Sequence, residues 1–406
     1  MTGRPSTSPR DRRRRPPTRG GVRRAGPRSG TQLDVDALLD ESRTQIIVCC
    51  GSGGVGKTTT SAALALRAAE RGRSVVVLTI DPARRLAQSL GLSQLDNTPR
   101  PVEGVDTSAG GRLEAMMLDM KRTFDEVVEA HATPQKAGQI LTNPFYVALA
   151  SSFAGTQEYM AMEKLGQLQA DSHAGGRWDL IIVDTPPSRS ALDFLDAPER
   201  LSSLLDGRFI KLMLAPAKGP ARLFSAGVGA VTSTLSRVLG TQVLRDVQTF
   251  VAAFDTLFGG FRQRAEHTYA LLQAPGTSFL VVASPEPDAL REAAYFVERL
   301  SAEHMPLAGL VVNRVTQPSA SDLDAQDSTT GADKLAVSED AGARAVAGLL
   351  AVHADSMRTA EREKHLERRF TAVHPAVAIT RIRALGSDVH DLAGLRRIGD
   401  LLARRA

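Results

Sequence analysis

The sequence predicts an α/β fold in which helices cover a doubly wound, mostly parallel sheet. Short apolar runs, each long enough for a buried strand, alternate with segments whose apolar residues recur at helical spacing. In addition, a glycine-rich segment joins the first apolar run directly to the first long helical segment. Strands that alternate with helices build a parallel sheet, and such sheets bind their ligands at the carboxyl ends of the strands.

The predicted strands are six continuous apolar runs and a further apolar segment near the end of the chain. They are Gln45–Cys50, Ser74–Ile80, Leu113–Leu118, Leu180–Asp184, Ser278–Ser284 and Leu307–Asn313, with Ala376–Ile382 as the seventh. Helical periodicity is clearest in Thr58–Glu70 and Glu286–Leu300. A final amphipathic helix is predicted over Asp391–Arg405, and we favour its packing against the sheet over binding to a membrane surface.

Two stretches are too long for simple crossover connections and predict a helical subdomain inserted into the domain of residues 41–406. They are residues 120–175 and 196–276. Their methionines, together with an apolar run from Phe209 to Phe261, fit either a packed core or a groove for an apolar protein client. The polar and acidic residues 316–340 predict a mobile loop.

The net charge of +5 is unevenly distributed along the 406 residues. Residues 1–30 hold ten arginines and one acid, so the rest of the chain carries a charge of −4. Because residues 1–40 have few large apolar side chains, we expect a disordered, solvated tail, and no apolar run that would make it an export signal follows the arginines. The acidic body and the low aromatic content disfavour a nucleic-acid partner, and we expect a cytoplasmic protein without an integral membrane span.

The segment GSGGVGKT matches the pattern G-x-x-x-x-G-K-[ST] between a predicted strand and a predicted helix, which is the context of a P-loop. Its glycines allow consecutive backbone N–H groups to surround phosphates, Lys57 places a positive charge on them, and the hydroxyl of Thr58 suits Mg²⁺. A P-loop NTPase that binds ATP and Mg²⁺ is therefore predicted. The expected nucleotide-binding residues of the loop are Gly51, Ser52, Gly53, Gly54, Val55, Gly56, Lys57, Thr58 and Thr59.

Two aspartates follow predicted strands at the same edge of the sheet. Asp81 lies in TIDPA after the second strand, and Asp184 ends the apolar run of DLIIVDTPPS. A carboxylate in this place beside a P-loop can hold Mg²⁺ or its water, or orient an attacking water. The alternative is that each aspartate only caps the helix that follows.

The motifs GSGGVGKTTT, TIDPA, VDTPPS and VVNR, in this order, resemble the ArsA/anion-transporting ATPase family over roughly residues 42–406. This family includes a targeting ATPase for tail-anchored membrane proteins, and the likeness is strongest to a bacterial subgroup of paired ArsA-like ATPases. The resemblance implies phosphate and Mg²⁺ binding by Gly53–Thr59, Asp81 on the attacking water and Asp184–Pro187 as a second switch. It also implies Asn313 on adenine, Glu286 near the nucleotide, and a dimer whose opening and closing acts on a client.

The sequence departs from the family pattern at the second residue of the loop, where Ser52 replaces the lysine that reaches the nucleotide of the partner. This departure keeps two functions open: an ATPase that acts as a homodimer or with an ArsA-like paralog, and a non-hydrolysing subunit that regulates a catalytic paralog. Arg84 and Arg85 offer a replacement charge, although surface positions explain them as well. Cys49 and Cys50 suit a strand core better than a metalloid site.

Overall fold

The computed structural model describes residues 32–81, 85–144, 146–147, 156–186, 263–320 and 322–404. Its centre is an eight-stranded sheet in the order β3-β4-β2-β5-β1-β6-β7-β8. Neighbouring strands are parallel except β3 and β4, which pair antiparallel. The strands are β1 Ile46–Cys50, β2 Ser74–Thr79, β3 Arg100–Pro101, β4 Arg112–Met117, β5 Leu180–Asp184, β6 Thr277–Ala283, β7 Leu307–Val315 and β8 Ile379–Arg383.

The sheet confirms the predicted α/β class and the doubly wound order. All seven predicted strands are present. The chain places β2, β3 and β4 on one side of β1, inserts β5 between β2 and β1, and then adds β6, β7 and β8 on the other side. Every residue of β1 and of β5 is buried, as their apolar composition predicts. The strand that the sequence did not predict is β3, because two exposed residues carry no hydrophobic period.

Helices flank the sheet on both faces. They are α1 Val35–Asp40, α2 Lys57–Glu70, α3 Arg85–Ser89, α4 Met120–His131, α5 Pro134–Leu141, α6 Thr156–Gly175, α7 over 263–273, α8 Pro287–Ala302, α9 Ala325–Ala336, α10 Ala341–Val373 and α11 Leu392–Ala403. The closing helix α11 packs against α2 and β8 through its buried Leu395, Ile398 and Leu402, as expected. None of the helices in the described ranges is both long and apolar enough to cross a membrane.

Two boundary predictions differ from the structure. Residues 32–40 were assigned to the tail, yet α1 buries Val35 and Leu39 in the core, and the Asp34 side chain caps its first turn. The predicted loop 316–340 contains α9, which is capped by Asp324 and packs against α10. The helix α1 escaped prediction because it has only six residues and directly follows the arginine-rich tail, and α9 escaped prediction because it is polar and buries only small residues, Ser328 and Ala332.

The first half of the predicted helical insertion forms α4, α5 and α6, and α4 packs against α6. Its Met160 and Met162 are almost fully buried, as is Met116 on the preceding strand β4, so these methionines belong to the core. Most of the second half, including Met213, lies outside the described residues. The division into an ATPase domain with a helical subdomain therefore stays a prediction.

Candidate functional site

The glycine-rich loop leaves the centre of the sheet at β1 and enters α2. Two of its glycines are required by the backbone. Gly51 has a φ of 149°, and a Cβ there would lie 2.1 Å from the carbonyl oxygen of Val282 in β6. Gly56, the N-cap residue of α2, has a φ of 94° in the left-handed region and has no side chain with which to cap the helix. The first N–H groups of α2 are thus left for an anion, as in a P-loop.

Lys57 is folded back over this loop. Its Nζ donates to the carbonyl oxygen of Ser52 at 2.8 Å, and only 5% of the residue is exposed. Burial lowers the pKa of Lys57, while the nearby carboxylate of Asp184 opposes this shift. The ammonium is therefore poorly solvated and is held across the loop, which favours the arrival of an anion.

Asp184 is the most deeply buried acid of the site, with no exposed surface. Its Oδ2 accepts hydrogen bonds from the hydroxyls of Thr58 at 2.8 Å and Thr79 at 2.9 Å. Burial raises the pKa of Asp184 to about 6, although the two hydrogen bonds act in the opposite direction and lower the pKa. Its Oδ1 is buried without a hydrogen-bond partner among the described residues. A buried carboxylate oxygen left in this state fits a divalent cation or a water bound to one, so the residues suit Mg²⁺.

Asp81 lies beside this pair, at the end of β2. Its backbone N–H donates to the Thr79 hydroxyl at 3.2 Å, so Thr79 contacts both aspartates. The residue is partly buried and lines the cavity described next. The neighbouring Arg84 lies outside the described residues, whereas Arg85 begins α3 with its side chain exposed on the cavity wall.

A cavity of about 770 Å³ opens at the carboxyl ends of the strands, above the P-loop. Residues of the loop, of α3 and of the segment after β8 line it. Gly54, Gly56, Lys57, Thr58, Thr59, Asp81, Arg85, Gln88, Ser89, Asn313, Arg314, Arg383, Ala384, Leu385, Ser387, Asp388, Val389, His390 and Ile398 form its wall. This size suits a nucleotide.

Sequence reasoning missed the cavity wall contributed by 383–390. These residues follow the predicted seventh strand, and β8 pairs with β7 in parallel, so its carboxyl end meets the same edge of the sheet. The rule that ligands bind outside these strand ends was therefore the signal that could have found them.

The two remaining predicted residues are placed differently. Asn313, on β7, is 8% exposed and lines the cavity, and its Nδ2 donates to the carbonyl oxygen of Val55 at 2.8 Å. Glu286 is exposed as the N-cap residue of α8 and is not among the described residues that line the cavity. The structure thus brings Asn313 to the P-loop and leaves Glu286 at the surface.

Cys49 and Cys50 are fully buried in β1, and burial raises the pKa of Cys49 to about 12. Burial also raises the pKa of Cys50. Both thiols are therefore protonated core groups at neutral pH. In the part of the chain that the structure describes, no group of three His, Cys, Asp or Glu residues is arranged to hold a metal ion.

Comparison with known proteins agrees with this geometry. The chain is 26% identical to ATPase GET3 of Ajellomyces dermatitidis over 284 residues, which are 69% of this chain and 76% of that protein. It is 31% identical to ATPase GET3 of Malassezia globosa over 168 residues, only 41% of this chain and 46% of that protein. With the ATPase ASNA1 homolog of Cryptosporidium parvum it shares 28% identity over 272 residues, 66% and 64% of the two chains.

The family model for anion-transporting ATPases matches residues 44–331, which is more than half of the chain. This range begins just before β1, contains the P-loop and both aspartates, and continues past Asn313 into α9. A match of this extent, on a sheet whose topology places these residues around one cavity, shows that the chain belongs to the anion-transporting ATPase family and is an ATPase.

Proposed function

We propose that this ATPase binds Mg²⁺-ATP in the cavity above the P-loop and uses binding and hydrolysis to change the arrangement of a dimer that acts on a protein client. The observation that carries the proposal is the combination of an open α2 N-terminus, a buried Lys57 and an Asp184 whose Oδ1 has no partner among the described residues. Each of these three features is unfavourable until phosphates and a cation are bound.

The residues of the loop and of α2 would act on the phosphates. The backbone N–H groups of Gly53–Thr59 would surround them, and Lys57 would exchange the carbonyl of Ser52 for a phosphate oxygen. Thr58 and Asp184, already joined at 2.8 Å, would hold Mg²⁺ and its water shell. Bound Mg²⁺ supplies neutralisation of the charge that develops on the phosphate oxygens.

Asp81 would orient the attacking water. It lines the cavity close to Thr79. The Thr79 hydroxyl donates to the Asp184 carboxylate and accepts the backbone N–H of Asp81, and it thereby connects the ends of β2 and β5. Asn313 lines the same cavity, and by the family resemblance it would meet the adenine. Glu286 lies on the surface, away from the residues that line the cavity, so it could contact only a nucleotide that is bound outside this cavity.

Ser52 decides how much hydrolysis one chain performs. The backbone carbonyl of Ser52 accepts a hydrogen bond from Lys57 of the same chain. Its side chain is a neutral hydroxymethyl group, so it cannot place a positive charge on the nucleotide of a partner. A charge supplied in trans is worth about 10³ to 10⁵ in rate in other phosphoryl-transfer enzymes. We therefore propose pairing with an ArsA-like paralog that contributes the lysine. The second candidate, which Ser52 also favours, is a nucleotide-binding subunit that regulates a catalytic paralog without hydrolysing ATP itself.

Two of the relatives reported above carry the name ATPase GET3, and the family resemblance implies an apolar protein segment as the client. We propose such a client, and a cytoplasmic site of action, for this chain.

A single-turnover assay with radiolabelled ATP, run with the chain alone and with an ArsA-like paralog, tests these proposals. Wild type is expected to bind ATP, and Lys57→Ala is expected to weaken binding at least about 100-fold because a buried charge partner of the phosphates is removed. Ser52→Lys is expected to raise hydrolysis by the chain alone. If Lys57→Ala binds ATP as wild type does, the site assignment is wrong. If the wild-type chain alone hydrolyses ATP at a rate that the paralog does not change, the proposal that a paralog contributes the missing lysine is wrong.

A further inference from the structure

Asn313 is joined to the P-loop by a buried hydrogen bond that spans 258 residues of sequence. Its Nδ2 donates to the carbonyl oxygen of Val55 at 2.8 Å, and Val55 is itself only 3% exposed. Water is therefore excluded from this bond, and its loss would leave a buried carbonyl unpaired.

The orientation of the Asn313 amide is determined on both sides. Its Oδ1 accepts the backbone N–H of Arg314 at 2.9 Å, and Arg314 adopts a φ of 62°, which a non-glycine residue seldom does. The reverse orientation of the amide would place Oδ1 against the carbonyl oxygen of Val55, where two acceptors would meet. The NH₂ group is thus directed at the P-loop.

This contact acts on the peptide between Val55 and Gly56. In a planar trans peptide the C=O and the N–H point in opposite directions. Fixing the Val55 carbonyl against β7 therefore turns the Gly56 N–H away from Asn313. The fit is close, because a Cβ on Gly56 would lie 2.2 Å from the Asn313 Nδ2. The left-handed φ of Gly56 and the position of Asn313 thus depend on each other.

We propose that Asn313 is a positioning residue that sets the Val55–Gly56 peptide of the P-loop for phosphate binding. The inference rests on the proposed phosphate site and assigns a second role to a residue that the family resemblance connects only with adenine. Because the contact is to the loop backbone, its contribution is the same whatever base the nucleotide carries. The same contact should also contribute to the binding of a phosphate ligand that has no base.

The test measures binding of Mg²⁺ complexes of ATP, GTP and inorganic tripolyphosphate to the full chain by calorimetry. Asn313→Ala is expected to weaken GTP and tripolyphosphate binding about tenfold, the effect of losing one buried hydrogen bond, and ATP binding by at least that factor because ATP also loses the adenine contact. Asn313→Asp keeps the size of the side chain but replaces the donor, so an equal or larger loss is expected. In both variants the affinity for tripolyphosphate, which has no base to contact, should fall by at least about this factor.

Asn97→Ala is the matched control. Asn97 is as buried as Asn313, and its Nδ2 donates to Glu126 within the α4 region, away from the cavity. Its loss should lower thermal stability without changing the affinity for any of the three ligands. This separates a general loss of stability from a change in the P-loop.

Two results would overturn the proposal: a loss confined to ATP, which would make Asn313 a base contact only, or no loss for any ligand. Where tripolyphosphate binds too weakly to measure, GTP decides, and an unchanged GTP affinity overturns the proposal. Failure of the proposed function is seen separately, since wild type would then bind none of the three ligands, or Lys57→Ala would bind them all unchanged.

Discussion

Replacing Asp184 by asparagine should make the nucleotide-free protein more stable and, at the same time, reduce its stabilisation by Mg²⁺-ATP. The buried carboxylate has a pKa of about 6 in the folded protein, against 3.8 for an ordinary aspartate. This difference corresponds to about 3 kcal/mol of unfavourable free energy once the group is ionised in both states. Asp184→Asn keeps the shape, and the hydroxyls of Thr58 and Thr79 can rotate to pair with the amide.

The sign of the pH dependence follows from the raised pKa. Between about pH 4 and pH 6 the folded protein holds a proton on Asp184 that the unfolded chain has released, so stability falls as pH rises through this window. Above pH 6 the penalty is complete. Asp184→Asn lacks it, so the advantage of the variant should grow by about 1 kcal/mol between pH 5 and pH 8.

Urea unfolding followed by circular dichroism, with EDTA and without nucleotide, measures this difference at both pH values. Adding Mg²⁺-ATP at pH 8 should then stabilise wild type more than the variant. Asp355→Asn, whose side chain is 80% exposed on α10, is the control and should change neither quantity. An advantage of the variant that is equal at pH 5 and pH 8 would refute the assignment of a buried, titrating Asp184.

The remaining predictions concern the loop glycines and the two thiols. Gly56→Ala should reduce ATP affinity, measured by calorimetry, much more than Gly54→Ala. Both glycines have a positive φ, but only a Cβ at Gly56 would contact Asn313. Equal losses of affinity would mean that backbone strain alone is responsible. Cys49 and Cys50 should resist alkylation by iodoacetamide in the folded protein, because both thiols are buried and protonated. In guanidinium both should react fully, as measured by mass spectrometry. Rapid reaction of the native protein would contradict their burial in the core.

The P-loop and the two aspartates could be predicted from sequence because their signals are local. A strand, a glycine-rich turn and a helix follow one another between residues 46 and 70, and the backbone conformation that the glycines permit already determines the positions of Lys57 and Thr58. Asp81 and Asp184 could be placed beside them because parallel strands end at the same edge of a sheet, although they are far apart in sequence.

Elements that are very short or polar could not be predicted. Strand β3 is held by its pairing with β4, and helices α1 and α9 are held by capping aspartates and by packing against longer elements. None of these effects is visible in a short or polar segment taken alone. The same reason explains why residues 32–40 were assigned to a tail and residues 316–340 to a loop.

By itself, the sequence determined the α/β class, the phosphate-binding loop and the absence of a lysine at Ser52, since each follows from residue type and local spacing. Only the tertiary structure decided which groups complete the site. It paired Asp184 with Thr58 and Thr79, left the second oxygen of Asp184 without a partner among the described residues, and tied Asn313 to Val55. Those contacts depend on strand order and burial, which bring together residues that are far apart along the chain.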